Sequence, residues 1–250
     1  MAKSNDWIQI QYKPGDILLP ELQFETVARL MYLATFIDKE GCIPASVFGG
    51  CNTAHSIKCA LLSRLRMKQV WKLWEFLDDV ESAGIFEIKD DGCYFRTSTI
   101  LSGDTKCSLP KGFKRIYINK KAIRELFEQN GYGKHRDLGM LFRMIPFLKN
   151  NPSVLSSTPT ARNRDVSNWL TLKDYCSLMG YTRPVSNLHN YLCNLSFVNE
   201  IGEKSYPILF GNEVFKRGAV FMNPYLCRKS LSWKATPADK TSIAITSERK

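Results

Sequence analysis

Motifs that announce an enzyme or a metal site are missing from this 250-residue chain. There is no phosphate-cradling Gly-x-x-x-x-Gly-Lys loop, no Gly-x-Ser-x-Gly elbow and no His-Glu-x-x-His helix. Eight cysteines are present, yet no two form a Cys-x-x-Cys pair, and there are only three histidines. The tightest Cys/His group is Cys51, His55 and Cys59, about one helical turn apart at each step. It lacks a fourth ligand of the kind a structural zinc needs, so neither metal nor other cofactor is expected. Two acidic pairs, Asp78-Asp79 and Asp90-Asp91, fall on a helix face and in a tight turn. A metal-dependent nuclease needs carboxylates converging from several elements, so the expectation is a protein that is not an enzyme.

Long apolar runs are also missing. None approaches the roughly 18 residues that span a bilayer, and the first sixteen residues hold no apolar signal core. Unpaired cysteine spacing points to free thiols and a reducing compartment. The expected location is the cytoplasm of the cell that makes the protein. Acidic residues are outnumbered, 24 against 35 Lys and Arg, which leaves a net charge of +11. A surplus of this size favours polyanionic partners, because each cation placed on a phosphate releases counterions.

What is present reads as globular, with 44% hydrophobic and 12% aromatic residues. The expected class is α+β, mostly helical, with two tandem winged helix-turn-helix domains. Residues 1–20 form an N-terminal extension and 21–100 the first domain. Within that domain, helical spacing of Leu22, Val27, Leu30, Leu33 and Ile37 predicts a helix over 21–38. Cys42-Ile43 is a short strand, Asn52 or Thr53 caps a helix over 54–63, and a second helix follows over 67–82. That helix is expected to bury Val70, Leu73, Trp74, Leu77 and Val80. An Asp-Gly turn between two β-prone runs then signals a hairpin over 85–96. Residues 101–112 are a linker. The same order recurs over 113–225, where Thr171 caps a helix over 172–179, Gly180 stops it and Thr182 opens the next. Residues 226–250 are a basic tail, expected to be disordered.

In a helix-turn-helix the second helix lies in the major groove, and its first residues meet base edges. In the second domain, inward packing of Val185, Leu188 and Leu192 turns Arg183, Ser186, Asn187 and Asn190 outward. Arg matches the two acceptors of guanine and Asn pairs with adenine, so these four are the expected base readers. In the first domain the same logic selects Arg64, Arg66, Lys68 and Lys72, with Gln69. The turn glycine is blurred there, so phosphate binding is expected instead of reading. Wing hairpins touch backbone, which nominates Lys89 and Arg96 in the first domain and Lys204, Lys216 and Arg217 in the second. Arg162 and Arg164, in a polar loop, are further phosphate contacts.

The stretch Phe113-Lys-Arg-Ile-Tyr-Ile-Asn119, with Ile123-Arg-Glu-Leu-Phe127 and Leu138-Gly-Met-Leu-Phe-Arg-Met-Ile-Pro-Phe-Leu148, resembles winged-helix proteins of phages and plasmids of Firmicutes, including plasmid replication proteins of the RepL type. Ala28-Arg-Leu-Met-Tyr-Leu-Ala-Thr35 and Phe221-Met-Asn-Pro224 fit the same group. The resemblance implies double-stranded DNA binding in transcription regulation or replication initiation. A second expectation is a winged-helix module that binds a host protein, which Trp71, Trp74 and Phe76 would suit if exposed.

Overall fold

A computed structural model describes residues 6–129, 135–149, 154–160, 165–211 and 217–231. The first half runs β1 (Trp7–Tyr12), α1 (Phe24–Ala34), β2 (Cys42–Pro44), α2 (Ala54–Arg64), α3 (Val70–Ser82), β3 (Phe86–Lys89), β4 (Gly92–Phe95) and β5 (Ile100–Ser102). The second half runs β6 (Lys114–Asn119), α4 (Lys120–Gln129), α5 (His135–Arg143), α6 (Leu172–Leu178), α7 (Val185–Asn194), β7 (Phe197–Val198), β8 (Lys204–Ser205), β9 (Ile208–Phe210), β10 (Val220–Met222) and β11 (Cys227–Arg228).

Helix α1 is apolar nearly all round, so it lies in the core with every residue from Thr26 to Ala34 buried. It begins at Phe24, three residues later than its periodicity suggests. The cause is Arg143 of α5, itself buried. Its guanidinium donates to the carbonyls of Leu18 (3.1 Å), Leu19 (2.7 Å) and Leu22, and stacks 4.5 Å from the Phe24 ring. Residues 18–22 are thereby held as a turn, with Leu19 at a φ of +49°. Four amino acids before Arg143, Gly139 meets α1 where a Cβ would overlap the Phe24 carbonyl. The helices cross that closely because one of them has no side chain at the crossing.

Helix α4 fastens the other end of α1. Arg124 donates to the Thr35 carbonyl (2.6 Å) and hydroxyl (2.9 Å), and Lys120 donates to the Ile37 carbonyl (3.2 Å). These cations satisfy carbonyl groups at and beyond a helix C-terminus, where positive charge is favoured.

Strands β11, β6, β1 and β5 form one antiparallel sheet in that order. Its best-paired member is β1, in register with β6 from Trp7 opposite Asn119 to Tyr12 opposite Lys114. This corrects the sequence expectation. All six residues of β1 are buried, although they lie in the segment read as a polar extension. Alternation was the available signal: Ile8, Ile10 and Tyr12 take one face, and Trp7, Gln9 and Gln11 the other. Part of the expected linker is β5, and the segment read as a tail opens as strand β11, with Leu226, Cys227 and Arg228 buried. The Arg228 guanidinium lies 3.7 Å from the Trp7 ring and 3.2 Å from Glu200. The fold is accordingly mixed, with 39% helix and 22% strand among the described residues, where mostly helix was expected.

Around this centre the two halves repeat an order. In the first, α1, β2, α2, α3, β3 and β4 follow one another, and the strands pair as β2-β4-β3. In the second, α5 leads to a short extended segment at Val154, which bridges Phe221 of β10, and then to α6, α7 and the β9–β10 pair. The β7–β8 hairpin is an addition between α7 and β9. One hydrophobic cluster runs through both halves. No helix among the described residues is long and apolar enough to cross a membrane.

His135 opens α5, buried and stacked 4.3 Å from the Phe127 ring. Burial, and then the charges of Arg29 and Arg66, push its pKa from an ordinary 6.5 down to about 3. The unfolded chain therefore takes up this proton near pH 6.5 and the folded chain only near pH 3. Stability is full above that window and falls as pH drops through it, by up to about 5 kcal/mol. In His135→Phe the ring stack is kept and the proton site removed. Denaturation midpoints measured from pH 7 to 4 should fall less in this variant than in the parent; equal slopes would refute the assignment.

The crossing at Gly139 makes a second test. Gly139→Ala must push α1 and α5 apart, at a cost of about 1–3 kcal/mol. Urea denaturation of the two proteins reads this directly, and an unchanged midpoint would show that the crossing tolerates a methyl group.

Candidate nucleic-acid interface

Two helical pairs, α2–α3 and α6–α7, are built by the same local chemistry. Each first helix starts with a capping box: Thr53 with Ser56, and Thr171 with Asp174. In each box the Thr side chain accepts from the amide three residues on, and the later side chain accepts from the Thr amide, which satisfies two otherwise unpaired donors. Each first helix ends in a Schellman turn. In the first pair Met67 N–H donates to the Leu62 carbonyl and Arg66 N–H to that of Ser63, both at 2.9 Å. In the second, Tyr181 N–H donates to Cys176 (2.9 Å) and Gly180 N–H to Ser177 (3.2 Å). The left-handed residue is Gly180 at φ +62° in one turn and Arg66 at φ +52° in the other. Arg66 thus occupies the place a glycine usually fills, which is why the first turn was hard to see in sequence.

The second pair hangs from α5 through two tyrosines. Tyr181 Oη donates to Asp137 (2.8 Å) and Tyr175 Oη to the Met140 carbonyl (3.2 Å). Burial, followed by the hydrogen bond to Asp137, drives the Tyr181 phenol well above its ordinary range, so it stays a donor. Helix α7 starts at Val185, three residues later than expected, because Pro184 sits in an extended N-cap position. Leu188, Tyr191 and Leu192 are buried. Arg183, Ser186, Asn187 and Asn190 are all exposed; the 3- and 4-residue spacing of Asn190 from Asn187 and Ser186 puts those three on one side of the helix, and Arg183 lies just ahead of its N-cap. Helix α7 carries no Asp or Glu. His189 and Cys193 lie beside that face, 3.7 Å apart.

The residues chosen in the first half are placed differently. Arg64 turns inward, donating to the Val47 carbonyl (2.9 Å) and covering the Phe36 ring at 4.5 Å. Arg66 donates to the Glu128 carbonyl at the end of α4. Lys68 and Gln69 are exposed just before α3, and Lys72 lies 4.7 Å over the Trp71 ring. Both wing cations are held by Glu87: Arg96 at 2.6 Å and Lys89 at 3.5 Å. The Arg96 hydrogen bond keeps the Glu87 carboxyl below its ordinary range. At the hairpin tip, Asp90 accepts from the Ala54 amide (2.7 Å) and Asp91 from the Tyr94 hydroxyl (2.5 Å). This wing offers more negative charge than free positive charge.

Helix α3 departs further. Phe76, Leu73, Leu77 and Val80 are buried, but Val70, Trp71 and Trp74 are 54%, 52% and 48% exposed. Val70 and Trp74 were expected in the core. Phe76 instead joins the buried stripe, which shifts that stripe round the helix and leaves Val70 and Trp74 on its edge. In the second half, Lys204 is exposed on β8 near Tyr206, and Arg217 is exposed ahead of the β10 strand. Arg162, Arg164 and Lys216 lie outside the described residues.

Cys51, His55 and Cys59 do not converge. Cys59 Sγ is 3.7 Å from His55, while Cys51 donates to the Phe48 carbonyl. All eight cysteines are free thiols. No family model, no curated protein and no solved structure matches this chain.

The Arg66 turn is testable by comparing two substitutions. Arg66→Ala and Arg66→Gly both lose the bond to Glu128, but only Ala keeps a side chain in the left-handed conformation. Arg66→Gly should be the more stable of the two by about 1 kcal/mol in urea denaturation. Equal midpoints would mean that the turn does not hold this residue left-handed in solution.

Proposed function

We propose that the chain is a double-stranded DNA-binding protein, not an enzyme, in which two winged helix-turn-helix units share a central sheet and α7 reads bases. The observation that carries this is the face of α7. Of the side chains chosen from sequence as readers, Ser186, Asn187 and Asn190 are exposed on one side of that helix, and Arg183 is exposed two residues ahead of it. That helix has no carboxylate to repel phosphate, and it follows a glycine-closed turn in the order helix, strand, two helices, hairpin. Arg183 suits guanine, the two Asn suit adenine, and Ser186 suits phosphate or a base edge. The first unit contributes less than its basic residues suggested, since Arg64, Arg66, Lys89 and Arg96 are engaged within the protein. Lys68 and Lys72 are its phosphate contacts. The resemblance to phage and plasmid winged-helix proteins supports a role in transcription regulation or replication initiation.

A protein-binding role for the first unit is the second reading, and the exposed Trp71 and Trp74 favour it. It is compatible with DNA reading by α7, because the two faces belong to different helices.

The test is competition binding of genomic fragments against random duplex at fixed salt. Arg183→Ala and Asn187→Ala should each cost about 1–3 kcal/mol on the specific site and little on random DNA. Affinity of the parent should fall steeply with salt, roughly 10³–10⁵-fold between 50 and 200 mM for 6–10 phosphate contacts. An unchanged specific-to-random ratio in both variants would remove α7 as the reader, and a flat salt response would remove the electrostatic mode altogether.

A further inference from the structure

Where α1, α2 and α4 meet there is a cleft of about 380 Å³. Tyr32, Arg64 and Arg66 give it polar lining, and Val47, Phe48 and Ala60 give it an apolar part. Pockets that hold small molecules start near about 300 Å³ and combine apolar lining with a few polar groups. Glu128 is the one carboxylate among the described lining residues. The charges that act on the Tyr32 phenol are Arg64, Glu128, Arg124 and Arg66, three positive to one negative. Arg64 and Arg124 both lie against the Phe36 ring, at 4.5 and 4.4 Å.

The partners of these cations orient them without neutralising them. Arg64 donates to the Val47 carbonyl, Arg66 to the Glu128 carbonyl, and Arg124 to the Thr35 carbonyl and hydroxyl. All four acceptors are neutral, and each guanidinium has further donors. The helix ends that Arg66 and Arg124 meet carry only partial negative charge, so a positive excess remains. Arg64 Nε has no acceptor. The Tyr32 hydroxyl has no hydrogen-bond partner among the described residues. Burial raises the pKa of that phenol, so it stays a donor at neutral pH. Arg66 reaches the cleft from a left-handed backbone position, and strain of this kind gathers at ligand sites.

We propose that the cleft binds a small phosphate monoester, with its phosphoryl group held by Arg64, Arg66 and the Tyr32 hydroxyl and its organic part against Val47, Phe48 and Ala60. A phosphoryl group brings three acceptor oxygens and a charge of about −2 at neutral pH, which matches three side-chain donors and an excess of cations. Turned inward, Arg64 and Arg66 are placed for a small anion that enters the cleft, not for a duplex lying on the surface. The site goes beyond the proposed DNA reading and does not depend on it. None of its residues is on α7, and the experiment contains no nucleic acid.

Isothermal titration of the full chain with phenyl phosphate tests it. Binding should saturate at one ligand per chain. Arg64→Gln and Arg66→Gly should each raise the dissociation constant about tenfold or more, because each removes a charge-assisted contact. Glycine suits the left-handed position, and circular dichroism verifies that both variants are folded. Lys13→Gln, which removes an exposed cation away from the cleft, should leave the titration unchanged. Benzenesulfonate, with the same ring and a single charge, should bind more weakly than phenyl phosphate, and so should inorganic phosphate, which lacks the ring. Absence of saturation at about 10 mM phenyl phosphate overturns the proposal. So does binding that neither arginine substitution weakens. Equal affinity for benzenesulfonate overturns the dianion, and equal affinity for inorganic phosphate overturns the ester.

Discussion

The crossing of α1 and α5 is the constraint from which the rest of the arrangement follows. Helix α1 is buried on all sides, so it must be enclosed, and most of what encloses it comes from the other half of the sequence. Gly139 lets the backbones approach, and Arg143 pins the segment that leads into α1 by its carbonyls. A buried guanidinium bound only to neutral carbonyls is costly to desolvate, and its burial lowers the pKa. It is tolerable here because three acceptors converge on it in the fold. Helix α5 in turn carries Asp137 and Met140, the acceptors on which the α6–α7 pair is hung. The candidate reading helix is therefore oriented by the same helix that closes the core.

Much of this was legible where the signal is local. The caps at Thr53 and Thr171, the Gly180 stop and the Asp-Gly hairpin all depend on a few neighbouring residues. Strand β1 was missed because Gln9 and Gln11 made it look polar, and a strand buried on both faces is evident only once its partners are known. The inward turn of Arg64 and the hold of Glu87 on Arg96 were out of reach for a related reason. Residue type says that a guanidinium is a phosphate ligand, but only the tertiary neighbours say whether a carbonyl or carboxylate has already taken it. The α7 face was legible because three inward apolar residues fixed its rotation. The α3 face was misjudged because Phe76, not Trp74, completes the buried stripe.

The two second helices differ in what they present to solvent. α7 and the turn that leads into it show neutral amides, a hydroxyl and one guanidinium; α3 shows indoles and carboxylates. The first combination suits hydrogen-bonding to base edges beside phosphate. The second suits a partly apolar surface, and it would be repelled by a duplex along most of its length. One arrangement of helices thus serves two surfaces of opposite character, and the same turn geometry is made with glycine at its left-handed position in one half and arginine in the other.

The pairing of β1 bears on the order in which the chain can fold as it is made. Trp7 emerges early, yet its register partner Asn119 is synthesised only after the whole first half, and Cys227 must arrive before β6 is covered on its other side. Until then a strand and a helix that are both buried in the finished fold have no permanent cover. Contacts this distant in sequence slow folding, and nascent chains with open strand edges are prone to associate. The two halves, alike as they are in local design, are thus not independent folding units, and cutting the gene between them should yield two aggregating fragments in place of two small domains.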